Sequence, residues 1–390
     1  MAVSPLSKSL LALAAGTFGM CLSEFSMMGM LPAVATGLGV SVPDAGHFIS
    51  AYAIGVCVGA PATAVLAGSR PPKSVLLILM AVFIAGNLWT ALAGSSADML
   101  AARFAAGLPH GAYFGMAAVV ADRLTDRARA LMALAIVFSG ATFANLAGVP
   151  GATLIAGFVS WRAGYALVAG AGCLIAAAIA LWVPALPGST GHGRAAFRNQ
   201  FRFLKSPMPW LLTLAILLGN GGIFCWYSYI TPLMTETAGF APARMPLIMA
   251  LAGLGMVAGN LLSGKASGRF SPGGIAASTQ GLVCLALALT FFLAAAPLPA
   301  LCLMFVCTAS MFALGAPQQM LLIRHSKGGE MLGAALAQVG FNIGNALGAF
   351  CGGLTLRLGF GYPATAVTGA LLALGGFCAL LACRRASERG

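Results

Sequence analysis

The sequence predicts an all-α polytopic membrane protein of twelve transmembrane helices, arranged as two pseudo-symmetric six-helix bundles. Three observations predict it. Of 390 residues, 60% are hydrophobic and only 7% are charged, against about 25% charged in soluble chains. Apolar runs of about 20 residues, the length that crosses a bilayer as a helix, recur from end to end. A fixed offset of 200 positions aligns the first half of the chain with the second.

The spans are expected at about 10–33, 46–67, 74–93, 98–121, 131–156, 163–184, 209–233, 245–264, 274–295, 299–322, 331–356 and 362–383. A backbone in lipid must satisfy its own hydrogen bonds, so only helices or a closed barrel can cross. The apolar runs show no period-two alternation, which excludes the barrel. The first run follows Lys8 and continues to about Leu31, with Glu24 inside it. That is too long for a cleaved signal peptide, and no A-x-A site follows, so it reads as the first span.

Lys and Arg in the gaps set the orientation. With the N-terminus in the cytoplasm, the inner segments hold Lys8, Arg70, Lys73, Arg123, Arg127, Arg129, Arg194, Arg198, Arg202, Lys205, Lys265, Arg269, Arg324, Lys327, Arg384, Arg385 and Arg389, which is 17. The outer gaps hold Arg162, Arg244 and Arg357, which is three. Both termini are therefore expected in the cytoplasm, with the chain in a bacterial inner membrane. The net charge of +13 is explained by this bias, and no basic run interleaved with aromatics points to nucleic acid.

The longest gap divides the chain into an N-terminal bundle, 1–184, a cytoplasmic linker, 185–208, and a C-terminal bundle, 209–390. The offset of 200 aligns Gly39 with Gly239, Pro32 with Pro232, Gly55 with Gly255, Gly59 with Gly259, Gly140 with Gly340, Asn145 with Asn345 and Gly148 with Gly348. Two halves of equal topology are expected to rock about a central site.

Function is sought among polar groups inside the spans, because an intramembrane charge costs roughly 3 kcal/mol or more. Only Glu24 and Arg103 are formal charges deep in a span. Counted from the outer ends of spans 1 and 4, both sit in the outer half and within roughly 5 Å in depth. A direct or networked ion pair is expected, whether as a protonatable carboxylate whose proton affinity depends on Arg103 or as a static packing pair. His110, two turns after Arg103 on the same face, is either a proton relay or a hydrogen-bonded structural residue. His47, at the start of span 2, reads as interfacial.

Asn220, Phe224, Trp226 and Tyr227 in span 7, with Gln338, Phe341, Asn342 and Asn345 in span 11, suit a cavity for an amphipathic organic molecule. Phe25, Met28, Tyr113 and Phe114 are the matching candidates in the first half. Interhelical hydrogen bonding and aromatic belts are the plainer alternative, and Tyr229 leans to the belt. Small residues every fourth position, such as Gly107, Gly111 and Gly115, allow close helix approach. The ten cysteines form no CxxC pair and read as buried small hydrophobes, with no metal site. No catalytic or nucleotide motif appears, so neither an enzyme nor a cofactor is expected.

These residues resemble the major facilitator superfamily, in its twelve-span drug:proton antiporter branch. Leu100-Ala101-Ala102-Arg103-Phe104-Ala105-Ala106-Gly107 looks like that family's span 4 motif, whose arginine is implicated in proton transfer. Gly140 through Gly148-Val149-Pro150-Gly151 looks like the span 5 antiporter motif, which implies export. The segment 64–73 sits where the family's cytoplasmic gating motif belongs. Gly68 replaces its usual aspartate and Ala64 its usual glycine, leaving Arg70 and Lys73 as the remaining gate charges. Glu24-Phe25, Met28-Gly29-Met30-Leu31-Pro32, Ala45-Gly46-His47, Pro109-His110-Gly111-Ala112 and Leu261-Leu262-Ser263-Gly264 look like the AraJ-like transporters within it.

The resemblance implies a monomeric, proton-gradient-driven exporter of a small organic molecule such as a drug, sugar or nucleoside. Glu24, Arg103 and His110 would couple the proton, and Gly140, Gly148 and Pro150 would shape span 5. An uncoupled facilitator or importer, and a membrane receptor without turnover, are the competing expectations.

Overall fold

A computed structural model describes residues 5–67, 70–126, 129–188, 202–327 and 329–389. Twelve helices among them are long and apolar enough to cross a membrane. They are α1 (Pro5–Leu38), α2 (Val42–Ala67), α3 (Pro72–Leu92), α4 (Ser96–Leu124), α5 (Ala130–Phe143 continuing to Phe158), α6 (Trp161–Trp182), α7 (Pro207–Tyr227), α8 (Met245–Ala266), α9 (Pro272–Leu293), α10 (Pro297–Arg324), α11 (Glu330–Arg357) and α12 (Tyr362–Arg389).

The helices overrun the apolar runs because their ends are capped outside them. Ser95 accepts from Asp98 N ahead of α4, and Ser160 accepts from Ala163 N ahead of α6. Two spans are broken where proline removes a ladder hydrogen bond. In α5, residues Ala144–Gly148 form a π turn, and Val149 N reaches back five residues to Ala144 O just before Pro150. The span expected at 209–233 stops as a regular helix at Tyr227. It resumes as Ile230–Pro232 and a π turn, Leu233–Thr237.

The chain divides into two compact units, Met1–Val40 with Ala51–Gly191, and Ser41–Ser50 with His192–Gly390. The first turns of α2 thus group with the second unit, which its place in the sequence does not foretell. Residues 189–201 of the expected linker lie outside the described residues, as do Gly68, Ser69 and Arg127.

Within each unit, glycines bring helix backbones into contact. A Cβ on Gly59 of α2 would lie 1.9 Å from the Leu108 carbonyl of α4. In the second unit, a Cβ on Gly259 of α8 would lie 1.8 Å from the Ala309 carbonyl of α10. The glycine and its helix pair thus recur at the offset of 200, with the partner carbonyl one residue further along. Gly39 and Gly239, also one offset apart, both have a positive φ, 64° and 74°, where a side chain would strain the backbone.

Two expectations need correction. Cys21, Cys225, Cys307 and Cys383 are buried, but Cys173, Cys302 and Cys378 are exposed on helix surfaces. In a membrane an outward thiol is as well accommodated by lipid as by protein, so apolar context alone does not place it. Tyr229 is not a belt residue. It is fully buried, and its hydroxyl donates to Ala349 O at 2.8 Å.

The close approach predicts a sharp steric response. Gly59→Ala should lower the thermal midpoint of the purified protein, corresponding to roughly 1–3 kcal/mol of overpacking. Gly115→Ala, with nothing within 4 Å of its added Cβ, should not. Equal midpoints for the two variants would show that α2 and α4 tolerate separation.

Candidate functional site

The polar centre of the first unit is assembled from α1, α2 and α4. Gly107 has no room for a Cβ, which would lie 2.1 Å from Tyr52 O. This contact draws α2 against the face of α4 that carries Arg103 and His110.

Glu24 and His110 are nearly buried, at 7% and 8% exposure, and Arg103 is entirely so. Glu24 Oε2 lies 3.7 Å from His110 Nε2. The other imidazole nitrogen, Nδ1, is 3.0 Å from the Tyr52 hydroxyl, which is also 3.2 Å from Met20 O. Phe114 stacks on the His110 ring with centroids 5.2 Å apart.

The guanidinium of Arg103 takes a different route to Glu24 from the direct pair that equal depth allowed. Its Nη1 donates to Ser23 O at 3.1 Å, one residue before the carboxylate. Its plane lies over the Tyr52 ring, 4.4 Å from the centroid, and 5.3 Å from that of Tyr165. Nε and Nη2 have no hydrogen-bond partner among the described residues. Ring faces therefore replace some of the polar ligands a buried cation normally needs. Ser23 is itself fixed by donating to Asn87 Oδ1 at 2.7 Å. The result is a network, Glu24–His110–Tyr52–Arg103–Ser23.

Its proton count has two solutions. Tyr52 has one hydroxyl hydrogen and two neighbouring acceptors. If the hydrogen goes to Met20 O, His110 Nδ1–H donates to the tyrosine oxygen. Nε2 then faces, across 3.7 Å, either a protonated Glu24 or, as part of an imidazolium, a carboxylate. If Tyr52 donates to Nδ1, the hydrogen on Nε2 faces Glu24. The site can hold a proton on either Glu24 or His110 while the Tyr52 hydroxyl stays on Met20 O; turning that hydroxyl to Nδ1 requires the Nδ1 hydrogen to leave, so that arrangement carries one proton fewer.

Tyr52, Tyr165, Ser23 and Asn87 were not among the residues expected from sequence. A lone tyrosine in an apolar run carries no contrast, and only the Gly55, Gly59 and Gly107 spacing hints that α2 faces α4.

The remaining candidates are distributed as follows. Phe25, Met28 and Tyr113 are buried in the first unit, and the Tyr113 hydroxyl donates to Leu13 O at 3.3 Å. In the second unit, Asn220 Nδ2 donates to Phe341 O at 2.9 Å and to Asn345 Oδ1. Asn342 Nδ2 donates to Gln338 O at 2.9 Å, leaving its buried Oδ1 without a hydrogen-bond partner among the described residues. Phe224, Trp226 and Tyr227 form a packed aromatic group in the interior, with Trp226 Nε1 also unpartnered. Asn220, Gln338 and Phe341 keep partial exposure. Lys73 Nζ donates to Ala180 O at 2.7 Å, while Arg70 is exposed. Gly140 abuts Ala14 O of α1, and Gly148 abuts Phe18.

The profile of the Major Facilitator Superfamily matches residues 13–337. Putative transporter AraJ of Escherichia coli (strain K12) is 43% identical over 376 residues, 96% of this chain and 95% of that protein. The chloramphenicol resistance protein of Streptomyces lividans is 33% identical over 359 residues, 90% and 89% of the two chains. The crystal structure of nucleoside transporter NupG superposes with a TM-score of 0.81 at 11% identity, over 96% of this chain and 99% of that one, a likeness of fold alone.

Tyr52 separates the two halves of the network. Tyr52→Phe keeps a ring beneath Arg103 but removes the hydroxyl from His110. It should leave thermal stability within about 1 kcal/mol while altering the pH dependence of substrate binding. Tyr52→Leu should lose both. If the pH profile of the phenylalanine variant matches the wild type, the hydroxyl plays no part in proton handling.

Proposed function

The chain belongs to the major facilitator superfamily, and we propose that it is a proton-driven exporter of a small amphipathic organic molecule. It is a multi-pass membrane transporter, not an enzyme. The observation that carries the coupling proposal is the nearly buried pair of Glu24 and His110, 3.7 Å apart and joined through Tyr52 to a buried guanidinium. No other carboxylate lies deep in a span.

In this mechanism Glu24 takes the proton and His110 exchanges it. Arg103 biases the pair electrostatically through Tyr52 and Ser23. A difference of about 2.8 kcal/mol in proton binding between the two access states changes affinity a hundredfold. That is enough to load a proton from the outer face and release it inside. The proton gradient is the energy source, and no cofactor is required. Asn220, Gln338, Phe341 and Asn342 hold the substrate, which would satisfy the free Asn342 oxygen. Export rather than uptake is supported by the likeness of Gly140–Gly151 to the antiporter motif and by the chloramphenicol resistance relative. The Lys and Arg bias supports cytoplasmic termini and the bacterial relatives support an inner-membrane location; the protein would act there as a monomer.

Glu24→Gln keeps the shape of the carboxylate but cannot titrate. It should bind substrate with wild-type affinity and lose efflux driven by an imposed pH gradient in proteoliposomes, by at least tenfold. Wild-type pumping by this variant would favour an uncoupled facilitator in which Glu24 is structural.

A further inference from the structure

A second titratable cluster lies outside the network of the first unit. The first turns of α2 group with the second unit, while the rest of α2, from Ala51, groups with the first. One continuous helix therefore belongs to both. Its first turns make specific contacts within the second unit. Ser50 Oγ donates to Ala346 O of α11 at 2.9 Å. Gly46 has no room for a Cβ, which would lie 1.9 Å from the Tyr229 hydroxyl, and Gly353 closes on Pro43 O. At the exposed edge, Arg357 Nη2 binds Asp44 Oδ1 and lies 3.0 Å from His47 Nε2. Ser41 Oγ donates to the other Asp44 oxygen at 2.5 Å. The Phe350 ring flanks His47 with centroids 5.7 Å apart.

An arginine nitrogen can only donate. The contact therefore requires His47 Nε2 to carry its lone pair, so the imidazole in this arrangement is neutral with its hydrogen on Nδ1. A proton on Nε2 removes that bond and sets two cations 3.0 Å apart beside the single carboxylate of Asp44. Among the described residues, the charged groups acting on His47 are Arg357 on α11 and Asp44 on its own helix; Tyr229, beside Gly46, has its hydroxyl committed to Ala349 O.

We propose that His47 is a second proton-binding site, and that its protonation releases the start of α2 from α11. This rests on the proposed function in one respect, its membrane orientation: the Lys and Arg bias puts the 41–50 segment on the outer, proton-rich side. A proton arriving there would loosen the outer docking before reaching Glu24. The two titratable sites then act in sequence, the outer on conformation and the inner on coupling.

The test uses the full chain in lipid nanodiscs and reads the imidazole directly. The chain has only four histidines, His47, His110, His192 and His325, so nitrogen-15 histidine spectra can be assigned with His47→Gln. At alkaline pH, His47 should show an unprotonated Nε2, and Arg357→Ala should move its titration midpoint on the order of one pH unit. Spin labels at Val42 and the exposed Leu358, both in the second unit, in a cysteine-replaced background, should show the population with α2 held against α11 falling about fivefold as His47 titrates. Glu24→Gln should keep this response and His47→Gln should lose it. A protonated Nε2 at alkaline pH, or an unchanged response in His47→Gln, would overturn the proposal. If Glu24→Gln pumps normally, the coupling assignment fails but these two readouts do not change.

Discussion

A guanidinium held in a bilayer-spanning bundle with no access to water must find its ligands in the protein or not be charged there at all. Arg103 is fully enclosed, and much of the first unit can be understood from how it is accommodated. One nitrogen reaches a carbonyl of α1, while two aromatic faces screen the plane. That arrangement fixes the side on which α2 presents Tyr52, and so where the tyrosine hydroxyl meets His110.

The glycine contacts make this placement possible. Helices packed through ordinary side chains lie 8–10 Å apart, and at that spacing Tyr52 and Arg103 would be held less closely. Gly55, Gly59 and Gly107 remove the side chains between α2 and α4, so the backbones touch and the flanking polar groups are set by main-chain geometry. The second unit repeats the contact through Gly255 and Gly259 on α8. Among the described residues the same packing there encloses no buried charge, as fits a property of the scaffold that the polar centre exploits.

Much of this was legible in the residues. Twelve spans, the two halves and their offset follow from hydrophobic run lengths and glycine and proline positions. Glu24, Arg103 and His110 stand out because charge and imidazole contrast with an apolar run. What was not legible lacks such contrast. Tyr52 and Tyr165 look like any aromatic in a span until a guanidinium is seen over them. Pro150 and Pro232 announce a weak point but not the π turns that form beside them, since proline is common in membrane helices. Tyr229 sits at a depth typical of a belt, and only its contact with α11 reveals that it faces protein. The assignment of Ser41–Ser50 to the second unit is a long-range packing outcome that no local pattern encodes.

The repeat has a consequence for descent. Gly39 and Gly239 share a left-handed backbone, as expected of two copies of one ancestral segment. Elsewhere the copies have parted. Where the first carries Glu24, Arg103 and His110, the corresponding positions of the second hold Phe224, Leu303 and Ser310. The second has instead acquired Asn220 and Gln338 where the first has Met20 and Phe138. Under the proposed export function, duplication separates two jobs that a single bundle would have to combine. Under the export reading, selection can retune the amides of α7 and α11 for a new cargo while the charge-handling copy stays untouched. A lineage of such proteins can then diversify in what it carries faster than in how it is driven.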